Sequence, residues 1–151
     1  MAEILKIKGL TLACLLLASW LPAFAAHTTL ETAPVVSPEQ IPGAQRVDAE
    51  GLLDLYGQFS NLVIIDARIE SDRKNGFIEY SVSLPNTLTD CQALQHLIPS
   101  LHHPVAFYCN GPRCGRSAKS AAIAIHCGYD QVYWFRGGIE AWTAGQYPLV
   151  R

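Results

Sequence analysis

The chain has 151 residues, a formal net charge of −2, and half its residues are hydrophobic. That length suits one domain with a sizeable core. The near balance of charge gives no argument for a nucleic-acid partner or for an anionic membrane surface.

The first segment reads as an export signal. Lys6 and Lys8 precede an apolar run from Leu10 to Leu21, and Pro22-Ala-Phe-Ala-Ala26 follows. Small residues at Ala23 and Ala25 place a signal-peptide cut after residue 25. The run is shorter than the roughly 20 residues a spanning helix needs, which argues against a stable membrane anchor. Cys14 is a poor lipid-attachment site, being close to Lys8 and preceded by Thr11. The expected location is across the inner membrane, in a periplasm. Cleavage leaves Cys91, Cys109, Cys114 and Cys127. An even count outside the cytoplasm allows disulfides. The spacing is unlike that of a small disulfide-stapled scaffold, so catalytic or redox use of some of these cysteines is the stronger expectation.

Residues 26–43 contain Pro34, Pro38 and Pro42 without a sustained period, and read as an extended leader. The domain is expected over 44–151. Asp48 can cap a helix running to about Tyr56, with Leu52, Leu53 and Tyr56 on one side. Leu62 to Ile65 is a continuous apolar run ending at Asp66, the pattern of a strand buried on both faces. A short strand is expected from Ser81 to Leu84. Thr89-Asp-Cys-Gln92 has the form of a capping box for a helix that Pro99 ends. Val105 to Tyr108 reads as a second buried strand. A helix then runs to His126 with Ala118, Ala121, Ala122 and Ile125 on one face, and Gly128 ends it. Val132 to Phe135 is a third strand, and Gly138 to Thr143 a last short helix. Alternating strands and helices predict an α/β fold, a central, mostly parallel sheet with helices on both faces.

Chemistry concentrates after the second buried strand, in Cys109-Asn-Gly-Pro-Arg-Cys-Gly-Arg-Ser117. A thiol stands at the strand end, before a loop that opens a helix. Helix N-termini present unpaired N–H groups and partial positive charge. Arg113 and Arg116 add two full charges, so Cys109 is expected as a thiolate. The loop reads as a cradle for an anion and for the sulfur that attacks or carries it.

Leu62-Val-Ile-Ile-Asp-Ala-Arg68 resembles the strand ending in Asp-x-Arg of rhodanese domains. Phe107-Tyr-Cys109 with Arg116-Ser-Ala-Lys119 resembles their active-site loop and following helix. Gly128-Tyr-Asp-Gln-Val132, Arg136-Gly-Gly-Ile-Glu-Ala-Trp142 and Tyr147-Pro148 are similar to their closing segment. The resemblance covers about residue 46 to the C-terminus. It implies a single-domain sulfurtransferase with no cofactor, and the N-terminal signal would make it an exported member. Cys109 would take a sulfane sulfur, for instance from thiosulfate, and pass it to cyanide, a thiol or a protein acceptor. Arg116 and Arg113 would hold the anionic donor, with Asn110, Gly111, Gly115 and Ser117 completing the cradle. Asp66 and Arg68 match positions that are mainly structural in the family.

Three features depart from the pattern. The spacing from Cys109 to Arg116 is Cys-x6-Arg, where many single-domain members have Cys-x4-Arg, so a wider or differently shaped cradle is expected. Gly76-Phe-Ile-Glu-Tyr-Ser81 lacks the histidine and Pro-Gly turn often found there, which predicts altered local packing. Cys114 either resolves a Cys109 persulfide or sulfenate as a disulfide, or fills the loop with its side chain turned away. Cys-x4-Cys with no second pair does not suggest a metal site.

Cys127 reads as a buried small hydrophobe and Cys91 as structural. His102 and His103 read as solvated, and Trp134 and Trp142 as core. Two alternatives stand beside sulfur transfer: a non-catalytic redox or sulfur-carrier module, and a rhodanese-fold phosphatase or arsenate reductase.

Overall fold

The computed structural model describes residues 37–151. The expected export signal, Cys14 and the expected leader as far as residue 36 lie outside the described residues. Five strands and five helices alternate: β1 (Ala44–Val47), α1 (Ala49–Gln58), β2 (Val63–Asp66), α2 (Glu70–Arg73), β3 (Val82–Ser83), α3 (Cys91–Leu97), β4 (Val105–Tyr108), α4 (Arg116–His126), β5 (Val132–Phe135) and α5 (Gly138–Ala144). The strands form one parallel sheet in the order β1-β5-β4-β2-β3.

The sheet separates two cores, and side-chain alternation along each strand divides residues between them. Ile65, Phe107 and Trp134 pack with Leu94 and Ile98 around α3 and with Ala118, Ala121 and Ala124 of α4. Ile64, Ala106, Tyr108 and Phe135 pack with Leu52 and Leu55 of α1 and with Trp142 of α5. The alanines let α4 lie close to the sheet. Its inward face is Ser117, Ala118, Ser120, Ala121 and Ala124, while Ala122 is exposed. On α1 the inward residues are Leu52 and Leu55, and Leu53 faces outward at 40% exposure.

Several boundaries differ from the sequence expectation for identifiable reasons. Residues 37–43, expected as leader, pack onto the domain. Ile41 is buried, and Arg136 donates to the carbonyls of Ser37 and Pro38 and to the Glu39 carboxylate. The Ser37 N–H donates to the Pro112 carbonyl, joining this segment to the cysteine loop. Asp90, not Thr89, caps α3, accepting from the Ala93 N–H. The Thr89 hydroxyl instead meets Ser120 beneath α4, because Thr89 is buried.

The segment from Gly76 to Ser81 is held by contacts on both sides. Tyr80 adopts a φ of 61° and is 78% exposed. Arg73 lies over the Phe77 ring, and Phe77 pairs with Val150 in an antiparallel bridge. The Ser81 hydroxyl is buried between Tyr108, Arg73 and the Ile78 carbonyl. Trp134 and Trp142 are core residues, as expected. His102 is exposed and its Nδ1 meets Asp130, whereas His103 is half-buried and is not a solvated side chain.

Candidate active site

Sheet register sets the site. Asp66, Tyr108 and Phe135 are level across β2, β4 and β5. The chain therefore leaves three adjacent strands at one edge, towards Arg68, Cys109 and Arg136. Ligands in open parallel sheets bind beyond such an edge.

A buried polar group anchors it. The Asp66 carboxylate accepts from Arg68 Nε at 2.9 Å and Nη2 at 2.7 Å, and from the Tyr108 hydroxyl at 2.7 Å. Arg73 adds an ion pair at 3.0 Å. Burial alone would raise the Asp66 pKa, but the hydrogen bonds from Arg68 and Tyr108 and the Arg68 charge outweigh it and hold the carboxyl below its usual range. The Tyr108 hydroxyl is pushed the other way by burial and by the Asp66 charge, so it remains a donor. Asp66 and Arg68 thus fix the end of β2 beside β4.

Cys109 follows β4 and is 1% exposed. A disulfide joins it to Cys114, with Cα atoms 6.3 Å apart. The reading of Cys114 as a filler turned away is therefore wrong. Its sulfur closes over Cys109 because the loop returns the chain to the strand end within a sequence separation of 5. The Cys114 N–H donates to the Gly111 carbonyl at 2.9 Å, which tightens that return.

Above the disulfide is an open cavity of about 660 Å³, lined by Asn86, Asn110, Arg113, Cys114, Gly115, Arg116, Lys119 and Glu140. Gly115 precedes α4 and supplies no side-chain cap, so the first-turn N–H groups face this region without a side-chain acceptor. Arg116 Nε donates to Cys114 Sγ at 3.3 Å, and its Nη2 pairs with Asp72 at 2.6 Å. Asn110 donates to the same Asp72 oxygen at 3.0 Å. Partial burial of Asp72 would raise its pKa, but the Arg116 and Asn110 hydrogen bonds lower it further, so it stays ionised.

The other expected site residues divide. Arg113 stands on the cavity rim, 81% exposed and 4.0 Å from Glu140, not in the cradle. Gly111 lies against Glu140 so closely that a Cβ there would collide with it. Ser117 turns its side chain away from the cavity. Its side chain is buried and its hydroxyl accepts from Trp134 Nε1 at 3.0 Å, because the first turn of α4 presents that position to the sheet. Cys91 and Cys127 are not separate structural thiols. They form a second disulfide, with Cα atoms 5.5 Å apart, linking the start of α3 to the end of α4.

Sequence reasoning missed Asp72, Glu140, Lys119 and Asn86. Asp72 is the important omission, since it positions two loop residues. The available signal was an acid shortly after the end of β2, the strand beside β4. Glu140 was hidden in α5, whose approach depends on Gly138. This glycine has a φ of 54°, and a Cβ there would overlap the Cys109 carbonyl. The close approach lets the Ile139 and Glu140 N–H groups donate to the Cys109 and Asn110 carbonyls at 3.0 and 2.8 Å.

Known proteins share this fold. The family model of the rhodanese-like domain matches residues 48–145. A curated sulfurtransferase from Allochromatium vinosum is 28% identical over 104 residues, covering 69% of this chain and 92% of the relative. The solved structure of the BH2092 protein from Bacillus halodurans aligns with a TM-score of 0.62 and 24% identity, over 71% of this chain and 77% of that one. A thiosulfate sulfurtransferase from Pseudomonas aeruginosa aligns with a TM-score of 0.59 and 22% identity, over 73% of this chain and 21% of that longer one. The structural likenesses speak for the fold, and the family match spans β2 to β5 and the cysteine loop. With its five-stranded parallel sheet and strand-end cysteine, the chain belongs to the rhodanese-like domain family.

Proposed function

We propose that the protein is a sulfurtransferase that carries a sulfane sulfur on Cys109. The observation behind this reading is the position of Cys109, at the carboxyl end of β4 below a cavity rimmed by Arg113, Arg116 and Lys119. With the Cys109–Cys114 disulfide reduced, the Cys109 thiolate attacks the outer sulfur of a donor such as thiosulfate. The donor S–S bond breaks, sulfite leaves with the bonding pair, and a persulfide remains on Cys109. An acceptor such as cyanide then attacks the terminal sulfur, forming thiocyanate and regenerating the thiolate. Arg116, at the cavity wall, binds the donor oxyanion by charge-assisted hydrogen bonds. First-turn N–H groups of α4 stabilise the anionic sulfur.

The disulfide favours a second reading, a redox or sulfur-carrier module. In that case the protein cycles between dithiol and disulfide and transfers no sulfur to small acceptors. Two disulfides among the described residues also support an oxidising compartment, which fits export to a periplasm.

Thiocyanate formation from thiosulfate and cyanide, measured with the full chain kept reduced by a thiol, separates the readings. Sulfur transfer predicts turnover that falls to background in Cys109→Ser and persists in Cys127→Ser. No turnover by the reduced wild type, with reversible Cys109–Cys114 oxidation, would favour the redox module.

A further inference from the structure

The Cys109–Cys114 pair has a chemistry that sulfur transfer to cyanide does not use. Cys109 is 1% exposed, whereas Cys114 is half-buried on the cavity wall. The two sulfurs are bonded, so the loop brings Cys114 into contact with Cys109 without further folding. Arg116 Nε donates to Cys114 Sγ at 3.3 Å, and Asp72 holds that guanidinium at 2.6 Å. A hydrogen bond from a cation favours the thiolate, the attacking form of a cysteine.

We propose that Cys114 is a resolving thiol that discharges the Cys109 persulfide, so that the site also reduces sulfane sulfur to sulfide at the expense of a dithiol. This rests on the persulfide reading given above. The Cys114 thiolate attacks the Cys109 sulfur that bears the sulfane sulfur. The Cys109–Cys114 bond forms as the persulfide S–S bond breaks. The terminal sulfur leaves as hydrosulfide with the bonding pair, carrying its proton or taking one from water. The sulfane sulfur gains two electrons, and the two cysteines lose two in becoming a disulfide. A dithiol resets the site. Its first thiolate attacks Cys114, the sulfur on the cavity wall, and Cys109 leaves as thiolate. Its second thiol then releases Cys114 and the reductant becomes a disulfide. In its resting oxidised state the enzyme accordingly hides Cys109 and offers Cys114 to the reductant.

A single-turnover experiment tests this. The full chain is reduced, freed of reductant, and treated with thiosulfate. Released sulfide is trapped and the loop peptide is weighed. Wild type should release about one sulfide per chain and end with the Cys109–Cys114 disulfide. Cys114→Ser should lose sulfide release and retain the sulfur as a gain of about 32 Da on the Cys109 peptide, the mass of one persulfide sulfur. A wild type that retains the added sulfur and releases no sulfide would overturn the resolving role and leave the persulfide reading standing. Sulfide released equally by wild type and Cys114→Ser would also overturn it. If neither protein takes up sulfur or yields sulfide, the sulfurtransferase reading fails, and this inference with it.

Discussion

Asp66 and Arg68 are the buried charged residues of the described domain, and Asp66 is the acid of the pair. Its side chain is 0% exposed and meets two arginines and a tyrosine hydroxyl. Removing one partner of a buried ion pair leaves the other charge uncompensated, which costs about 3–5 kcal/mol. Asp66→Asn should lower unfolding stability by that amount in urea titration. The pH dependence has a defined sign. Its folded pKa lies below the unfolded value of about 3.9. The stability it contributes is thus fully present above that value and lost as pH falls through the lower folded pKa. The urea midpoint should drop below about pH 4 in wild type, and less so in Asp66→Asn. At the cavity wall, Arg116 addresses Asp72 with one nitrogen and Cys114 with another. Lysine offers a single point charge and cannot hold both contacts. Arg116→Lys should leave the fold intact and cut kcat/KM for thiosulfate by about tenfold or more, the loss of one charge-assisted hydrogen bond. Unchanged donor kinetics would remove Arg116 from the anion contact.

At the scale of elements, β4, the cysteine loop and α4 make the site, and two neighbours complete it. α2 brings Asp72 to the loop, and α5 brings the Ile139 and Glu140 N–H groups. The central strands were legible in sequence because β2, β4 and β5 are buried and therefore read as unbroken apolar runs. β1 was not legible, since Gln45 and Arg46 are exposed on an edge strand. Nor was α2, a single turn of four residues with no buried side chain. Cys109 and Arg116 were legible because strand end, loop and helix are contiguous. Asp72 lies 44 residues from Arg116, and only the β2–β4 pairing brings them together. The second disulfide was missed for the same reason: its cysteines are 36 residues apart and meet through the packing of α3 on α4. Closing a loop of that length restricts the unfolded chain and stabilises by about 2–4 kcal/mol. Cys127→Ser should lower the melting temperature under non-reducing conditions, and a reductant should lower that of wild type at least as much. Equal melting of wild type and variant would show that the bridge does not form.

At the scale of the whole molecule, the export proposed above bears on how the chain reaches the sheet domain. Residues 37–39 are held by Arg136 and pair with the cysteine loop at Pro112, so the chain enters the domain beside the site. Expressed in a Gram-negative host, the mature protein should start near Ala26, fractionate with the periplasm and contain both disulfides. Recovery of an uncleaved chain with the membranes would contradict that location. The central claim is that Cys109 takes the sulfane sulfur. The direct measurement uses thiosulfate labelled at its outer sulfur, added to the reduced full chain, with label counted in the protein and in trapped sulfide. Wild type should remove about one labelled sulfur per chain, the stoichiometry of a single nucleophile, and Cys109→Ser should remove none. Equal label transfer by Cys109→Ser would contradict the account.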